Sequence, residues 1–378
     1  MFDNLGPTAP RKVLLLCGGP SAEYVVSLTS ARCAAHALDR HRYQLRVACV
    51  TDDGSWIVPD ENWSSDTPPS RVEKFFDLLD MPELCPRGYL TRRAAGEAIT
   101  RILAWRPDIV LPIMHGAYGE DGRLQGMLDF LNIPYVGSGV LASSLSMDKK
   151  RTKDFLAANG IRVAPHVLIQ SASSQMLKED QMAAAGNLMG WPLVVKPNRG
   201  GSSIASGIAR GEEELRSLVL RATDADSEIL IEQYVAGREV TCGILDMAES
   251  FGGRVLCPPT EIRPKSSHFF DFDAKYRPGA SEEITPAPLP DEVTNRIHAM
   301  AEKAHDLLGC KGMSRSDFMV KDNGQPIYLE TNTIPGLTST SLLPQGAAAL
   351  GINMTTLLTG LIEGAFERLI EQQTRRHA

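Results

Sequence analysis

Four residues in one short stretch, Arg315, Asp317, Glu330 and Asn332, have the types and spacing to hold a hard divalent cation beside a guanidinium. They flank Asn323-Gly324, a two-residue hairpin signal with β-forming residues on both sides. Pairing the strands back from that turn sets Val320 opposite Ile327, Phe318 opposite Leu329, Asp317 opposite Glu330 and Arg315 opposite Asn332. Alternation then puts the four polar residues on one face and Ser316, Phe318, Leu329 and Thr331 on the other. Facing carboxylates repel each other unless a cation sits between them. Oxygen donors from Asp, Glu and Asn suit Mg²⁺; the alternative is a solvated strand face on which Arg315 compensates the charge.

Other stretches carry chemistry of their own. "KPNRGGSSIASG" offers Gly200 and Gly201 for close backbone approach to an anion and Ser202 and Ser203 as hydroxyl donors, or it is a plain turn. It is not a Walker A loop, because no Gly-Lys-Ser/Thr follows. Lys196, near the end of an apolar strand, needs an anionic partner to justify its burial. In "CGGPSAEYVVSL" the dinucleotide fingerprint is missing, and Glu23 stands near a helix start. A carboxylate there suits a bound ammonium, or merely complements the helix dipole. His115 in "IMHGAYGEDG" sits at a strand exit among glycines without a metal-ligand partner nearby in sequence. "IEQYVAGRE" puts Glu232 and Glu239 on a connector able to hold an adenine and a ribose, or to serve as a hydrated linker. Lys275 and Tyr276 lie in a long polar loop, "PKSSHFFDFDAKYRPGASEEITPAP", which reads as a lid or a surface hairpin.

The elements that must position these residues alternate. "RKVLLLCGG", "YQLRVACVT" and "PDIVLPIMHG" read as strands, with helices over "SLTSARCAAHALDR", where Ser27 is the expected N-cap, and "GRLQGMLDFL", and a short strand "PYVG". Strand–helix alternation predicts a parallel sheet with helices on its faces, an α/β unit over residues 11–137, with ligands at the carboxyl ends of the strands. A small α+β segment, 138–231, follows: the helix "MDKKRTKDFLAANG", then "WPLVVKP" and "EILIEQYV" around the Gly-rich loop and the helix "GEEELRSLVLRA". The last segment, 232–378, holds "EVTCGIL", "GRVLCPPTEIR", the opening hairpin and two helices. The first of these carries Val293, Ile297, Met300, Ala304 and Leu307 as its apolar stripe.

Whole-chain properties bound the function. At 378 residues, the chain has room for two or three domains. A net charge of −7 without basic runs argues against nucleic acid or an anionic membrane as the main partner. No apolar run is long enough to span a bilayer. The opening "MFDNLGPTAPRK" lacks the apolar core of a signal peptide and reads as a loose lead-in. Seven cysteines without CxxC spacing are expected to be buried thiols in a reducing cytoplasm.

Taken together, "GGPSAEYVVSLTSA", "VVKPNRGGSS", "LIEQYVAGREVT", "DAKY" and "YLETNTIPGLTSTSLLP" occur in an order and spacing that resemble the D-alanine–D-alanine ligases of the ATP-grasp superfamily. The resemblance covers nearly the whole chain. It implies an ATP-grasp fold that clamps ATP between the second and third segments, and two D-alanines joined through an acyl phosphate for peptidoglycan precursor synthesis. Lys149 and Lys196 would bind the phosphates, Glu232 the adenine edge, Val235 its ring and Glu239 the ribose. Asp317, Glu330 and Asn332 would hold two Mg²⁺ (or Mn²⁺), with Glu330 bridging. Arg315 and the backbone N–H of Gly336 would stabilise the oxyanion. Glu23, with His115 helping, would orient the first substrate, while Ser341 and the Leu342 backbone would take the second substrate's carboxylate. Ser202 and Tyr276 would tie the lid to Glu23, with Lys275 beside them. The resemblance further implies a cytoplasmic homodimer. Phe270 and Phe272 stand where the family often has tyrosine, and Ala205 where it usually has glycine. These departures keep open another acceptor, D-serine, D-lactate or another amine, beside a non-catalytic nucleotide-binding homologue.

Overall fold

The apolar runs build three sheets in the computed structural model, which describes residues 10–58, 69–80, 91–172, 175–201, 205–265 and 281–377. The first contains β1 (Arg11–Gly18), β2 (Tyr43–Val50), β3 (Trp56–Ile57), β4 (Arg92–Arg93) and β5 (Ile109–Ile113), in the order β4-β3-β2-β1-β5. β1 runs parallel to both β2 and β5, while the two short strands are antiparallel. Continuous burial along β1 and β5 fits parallel strands covered on both faces. The cover comes from α1 (Tyr24–Ala37), α2 (Pro69–Asp80), α3 (Ala95–Trp105) and α4 (Arg123–Phe130).

Two local expectations change here. Ser27 is not the N-cap of α1: the helix begins three residues earlier, after Glu23, and Ser27 is fully buried inside it. Its hydroxyl accepts the Gly18 N–H at 2.7 Å and donates to the Ile113 carbonyl, so it fastens the helix to two strand ends. "PYVG" forms only an isolated parallel bridge, Val110 to Tyr135, because no further pairing follows.

The second sheet is antiparallel, β6-β9-β7-β8, from β6 (His166–Gln170), β7 (Leu193–Pro197), β8 (Gly207–Ala209) and β9 (Glu228–Gln233). α5 (Val140–Met147) and α6 (Lys149–Ala158) precede it, and the Asp148 carboxylate caps α6 by accepting the Arg151 N–H at 2.9 Å. α7 (Gln175–Met189) and α8 (Glu212–Thr223) bury Ala185, Leu215 and Val219 against Ile229 and Ile231.

The third sheet has the order β13-β12-β10-β14-β15, with β11 paired to β10. Its strands are β10 (Arg238–Asp246), β11 (Arg254–Leu256), β12 (Thr260–Pro264), β13 (Ser281–Ile284), β14 (Met313–Val320) and β15 (Pro326–Asn332). α9 (Asp291–Leu308) lays its predicted stripe against Phe318 and Tyr328, with Met300 and Leu307 at the margin. After α10 (Leu342–Ala348), α11 (Met354–His377) returns to α1, where Leu357, Leu358, Leu361 and Ile362 share a core with Ala31, Ala34 and Ala35. That return joins the last segment of the chain to the first. Among the described residues no helix is long and apolar enough to cross a membrane.

The hairpin register differs from the expectation near its turn. Lys321 N–H bonds to Gln325 O at 3.0 Å, closing a three-residue loop in which Gly324 takes φ = 73°. This loop pairs Val320 with Pro326, Met319 with Ile327 and Phe318 with Tyr328, one residue off the two-residue-turn register. A bulge between Asp317 and Phe318 then absorbs Leu329 and restores the predicted pairs Asp317–Glu330 and Arg315–Asn332. Leu329 is therefore not on the far face with Phe318: it lines the cleft beside Glu330.

Candidate active site

A cleft of about 960 Å³ opens where the three sheets meet. Glu23 and Gly116 line it from the first unit, Lys149, Lys196 and Gly201 from the second, and Glu239, Asp317 and Glu330 from the third. Pro20 and Glu330, 310 positions apart in the chain, thus line one chamber.

On the floor, the Asp317 carboxylate is held from two sides. Thr241, across the β10–β14 ladder, donates its hydroxyl to Oδ1 at 2.6 Å. Arg315 forks onto both oxygens, Nε to Oδ1 and Nη2 to Oδ2, each at 3.0 Å. Glu330 faces Asp317 across the hairpin, and Lys149 Nζ lies 3.6 Å from its Oε2. The same ammonium donates to the Gly200 carbonyl at 2.6 Å, linking the Gly-rich loop to the acidic pair. Asn332 is half-buried, and its Nδ2 finds no hydrogen-bond partner among the described residues.

On the opposite wall, Glu232 lies between two lysines. Lys196 Nζ is 2.6 Å from Oε1 and Lys153 Nζ is 3.0 Å from Oε2. Lys153 is fully buried, and that burial pulls its ammonium down to about 8 despite Glu232. Burial alone would raise Glu232, but the two cations outweigh it and hold the carboxyl at about 2. Two ammonium groups on one carboxylate leave a positive surplus facing the cleft, the charge an anionic ligand needs. Val235 packs with Ala164 and Ile327 as an apolar shelf nearby, and Glu239 follows at the start of β10.

Glu23 is buried where two glycines press on it: a Cβ on Gly116 or on Gly201 would come within 2.6 Å of its Oε2. A side chain at position 201 would therefore push the Glu23 carboxylate away from the Gly-rich loop. His115 is also buried, and both ring nitrogens are engaged, Nδ1 with Ile334 O at 2.9 Å and Nε2 with Ser30 Oγ at 3.0 Å. Desolvation lowers its pKa against the pull of Glu23, so the ring is neutral. A carbonyl can only accept, so Nδ1 carries the proton and Nε2 accepts from Ser30. Glu120 is buried beside them: Oε2 accepts Gly116 N–H at 2.7 Å and Oε1 accepts Ile334 N–H at 3.0 Å. Burial, followed by the neighbouring Glu23 charge, raises it to about 8.

Gly336 and Ser341 pack against each other after β15 and are not among the residues that line the cleft. A Cβ on Gly336 would lie 2.7 Å from Ser341 Oγ, and that hydroxyl accepts Thr338 N–H at 3.1 Å just before α10. Leu342, the first residue of α10, packs on Ile262. Ala205 adopts φ = 56°, the left-handed region that favours glycine, which gives its departure from the family pattern a backbone cost. Ser202, Phe270, Phe272, Lys275 and Tyr276 lie outside the described residues.

Comparison with known proteins settles the family. The family descriptions "D-ala D-ala ligase N-terminus" and "D-ala D-ala ligase C-terminus" match residues 12–138 and 155–363. The chain belongs to the D-alanine–D-alanine ligase family. A D-alanine–D-alanine ligase of Leptospira biflexa is 41% identical over 357 residues, covering 93% of this chain and 98% of that protein. The D-alanine–D-alanine ligase of Bacillus anthracis, solved in complex with ATP, is similar in fold with a TM-score of 0.69 and 30% identity, over 96% of this chain and 99% of that one. The VanG D-Ala:D-Ser ligase of Enterococcus faecalis reaches a TM-score of 0.76 at 29% identity, over 94% of this chain and 100% of that one. These likenesses show the ATP-grasp fold.

For a member of this ligase family, the residues that sequence reasoning missed are those acting through others: Thr241, Lys153, Glu120 and Ser30. Lys153 left one trace, its spacing four residues after Lys149 on one helix face. Thr241 reaches Asp317, Glu120 reaches Ile334 and Ser30 reaches Leu337 across 76, 214 and 307 residues, and no local pattern marks these pairings.

Proposed function

We propose that the chain is an ATP-dependent ligase that joins two D-alanines into D-alanyl-D-alanine for peptidoglycan precursor synthesis. The observation that carries this reading is the facing pair Asp317–Glu330, held beside Arg315 and opposite a lysine-rich wall in one cleft. Lys149 and Lys196 bind the phosphates of ATP, Val235 shelves the adenine, Glu232 borders its edge and Glu239 takes the ribose. Glu23 holds the ammonium of the first D-alanine. Its carboxylate oxygen attacks the γ-phosphorus, ADP leaves, and an acyl phosphate forms. The amine of the second D-alanine, whose carboxylate sits at Ser341 and the Leu342 backbone, attacks the acyl carbon. The oxyanion of the tetrahedral intermediate is met by Arg315 and the Gly336 N–H. Collapse breaks the bond to phosphate, which leaves, and the amine's proton goes to solvent. Ser202, Lys275 and Tyr276 would help to shield the acyl phosphate from water.

The donor set fits divalent cations. Asp317 and Glu330 are hard carboxylates whose mutual repulsion a cation relieves, and the Asn332 amide is tucked beside them, its nitrogen without a partner among the described residues. Asp317, Glu330 and Asn332 would hold two Mg²⁺ or Mn²⁺, which neutralise the phosphate charge when bound. Thr241 fixes one of these ligands. Thr241→Val, which keeps the shape and removes the hydroxyl, is expected to weaken Mn²⁺ binding in the presence of ADP by about 10-fold, measured by electron paramagnetic resonance titration. Unchanged Mn²⁺ affinity would show that Arg315 alone positions Asp317.

The same reading makes the protein a cytoplasmic homodimer. D-Alanine at millimolar concentration should elicit ADP and phosphate release, with D-alanyl-D-alanine as the product by mass spectrometry. A second reading keeps the fold and takes D-serine as acceptor. It is favoured by the likeness to the D-Ala:D-Ser ligase and by Phe270, Phe272 and Ala205. Paired D-alanine, D-serine and D-lactate incubations separate the two readings by product mass. No ADP release with any of them would defeat both.

A further inference from the structure

The segment Ile334–Leu337, which contains Gly336, is held at three points by side chains from the first unit. Glu120 Oε1 accepts the Ile334 N–H, His115 Nδ1 donates to the Ile334 carbonyl, and Ser30 Oγ accepts the Leu337 N–H at 3.3 Å. These three side chains are themselves fixed. Glu120 also accepts the Gly116 N–H through its other oxygen, and Ser30 donates to His115 Nε2. All three are buried, Ser30 completely. Their partners are main-chain groups, so the clamp fixes the path of the backbone whatever side chains it carries.

We propose that Glu120 and Ser30 are positioning residues that aim the Gly336 N–H at the oxyanion of the second chemical step. The inference rests on the ligase reading above. Bonds on either side of Gly336, to residues 334 and 337, leave its peptide little freedom to tilt. The clamp spans the first and third units of the chain, so it also sets the oxyanion donor relative to Glu23, which holds the first substrate. Ser30 lines neither cavity around Lys149 and Glu330, so its removal leaves in place the acidic floor, the lysine wall and Glu23, which the first step needs, whereas Glu120 also borders the small pocket beside Lys149, Glu330 and Asn332. Loosening the clamp therefore slows capture of the acyl phosphate by the second amine more than its formation. Water then takes the intermediate, returning D-alanine and phosphate after ATP has been spent.

The test compares ADP released with dipeptide formed, using the full chain, ATP, Mg²⁺ and D-alanine. Glu120→Gln places an amide N–H₂ against one of the two main-chain donors, so one of the two bonds is lost. Ser30→Ala removes the Leu337 tie and the donor to His115 in a small, buried change. The wild-type enzyme is expected to give one dipeptide per ADP. Both variants are expected to form dipeptide on the order of 10- to 100-fold more slowly, to release several ADP per dipeptide, and to keep KM for ATP within about twofold. A one-to-one ratio retained in Ser30→Ala would overturn the proposal. So would a parallel fall in ADP and dipeptide, which marks general structural damage. Should Glu120→Gln fail to fold, Ser30→Ala decides alone. Absence of dipeptide from the wild-type protein would instead count against the ligase reading.

Discussion

Glu330→Gln is expected to abolish dipeptide synthesis, by ~10³-fold or more, without lowering the thermal midpoint. Glutamine preserves the volume of the side chain and keeps one oxygen, so the β14–β15 ladder is undisturbed. In the folded protein Glu330 stands directly opposite Asp317 in the hairpin register, with Lys149 Nζ 3.6 Å from its carboxylate. Two carboxylates so paired destabilise a ladder, and neutralising one removes that repulsion. The loss of the Lys149 contact acts in the other direction, but at 3.6 Å and partly exposed it is worth ~1 kcal/mol or less. Stability thus stays level or rises while function is lost, the pattern expected where strain is kept for a ligand. Calorimetry, steady-state turnover and Mn²⁺ titration on the same variant check it together. Turnover within tenfold of wild type would remove Glu330 from the cation site.

The hairpin shows what local pattern can and cannot supply. Asn-Gly flanked by β-formers was enough to place Asp317 opposite Glu330 and Arg315 opposite Asn332, and the structure has both pairs. Between the turn and those pairs two errors cancel: a three-residue loop shifts the register by one, and the bulge at Leu329 shifts it back. Strand alternation has no term for a bulge, so Leu329 was assigned to the wrong face. The stripe of α9 was legible because its helical period fixes which side is buried, and "VLLLC" because a short unbroken apolar run ending in glycines fits a strand covered on both faces. Ser27 was misread because a serine before an apolar stripe satisfies the capping rule equally well inside the helix, where its hydroxyl serves Gly18 and Ile113. Glu120 lay in plain view in "HGAYGEDG", yet nothing local says that Ile334, 214 residues later, supplies the N–H that justifies its burial. Chemistry carried by one element was readable; support crossing between units was not.

Glu232→Gln should have the largest effect on stability of any change in the cleft. Glu232 is almost fully buried, and its carboxylate is the common counter-ion of Lys153 and Lys196, at 3.0 and 2.6 Å. Removing that charge leaves two ammonium groups facing each other in a region from which Lys153 cannot reach solvent. Breaking a buried pair by removing one partner costs about 3–5 kcal/mol, which in a chain of this size lowers the midpoint by roughly 4–6 °C. The sign of the pH dependence follows from the same group. Its folded value, about 2, lies below the ordinary 4.5, so its stabilisation is complete above that ordinary value and fades as pH falls toward 2. The gap between wild type and Glu232→Gln is therefore expected to be widest near neutral pH and to narrow between about pH 4.5 and pH 2. Lys153→Met tests the assignment from the other side. Burial already pulls that ammonium down to about 8, so exchanging it for an apolar chain of similar length removes a desolvated cation. Combined with Glu232→Gln, Lys153→Met is expected to restore ~1–2 kcal/mol of the loss, a non-additivity that chemical denaturation of the four proteins in the cycle measures. Strict additivity would mean that the two charges do not sense each other across 3.0 Å.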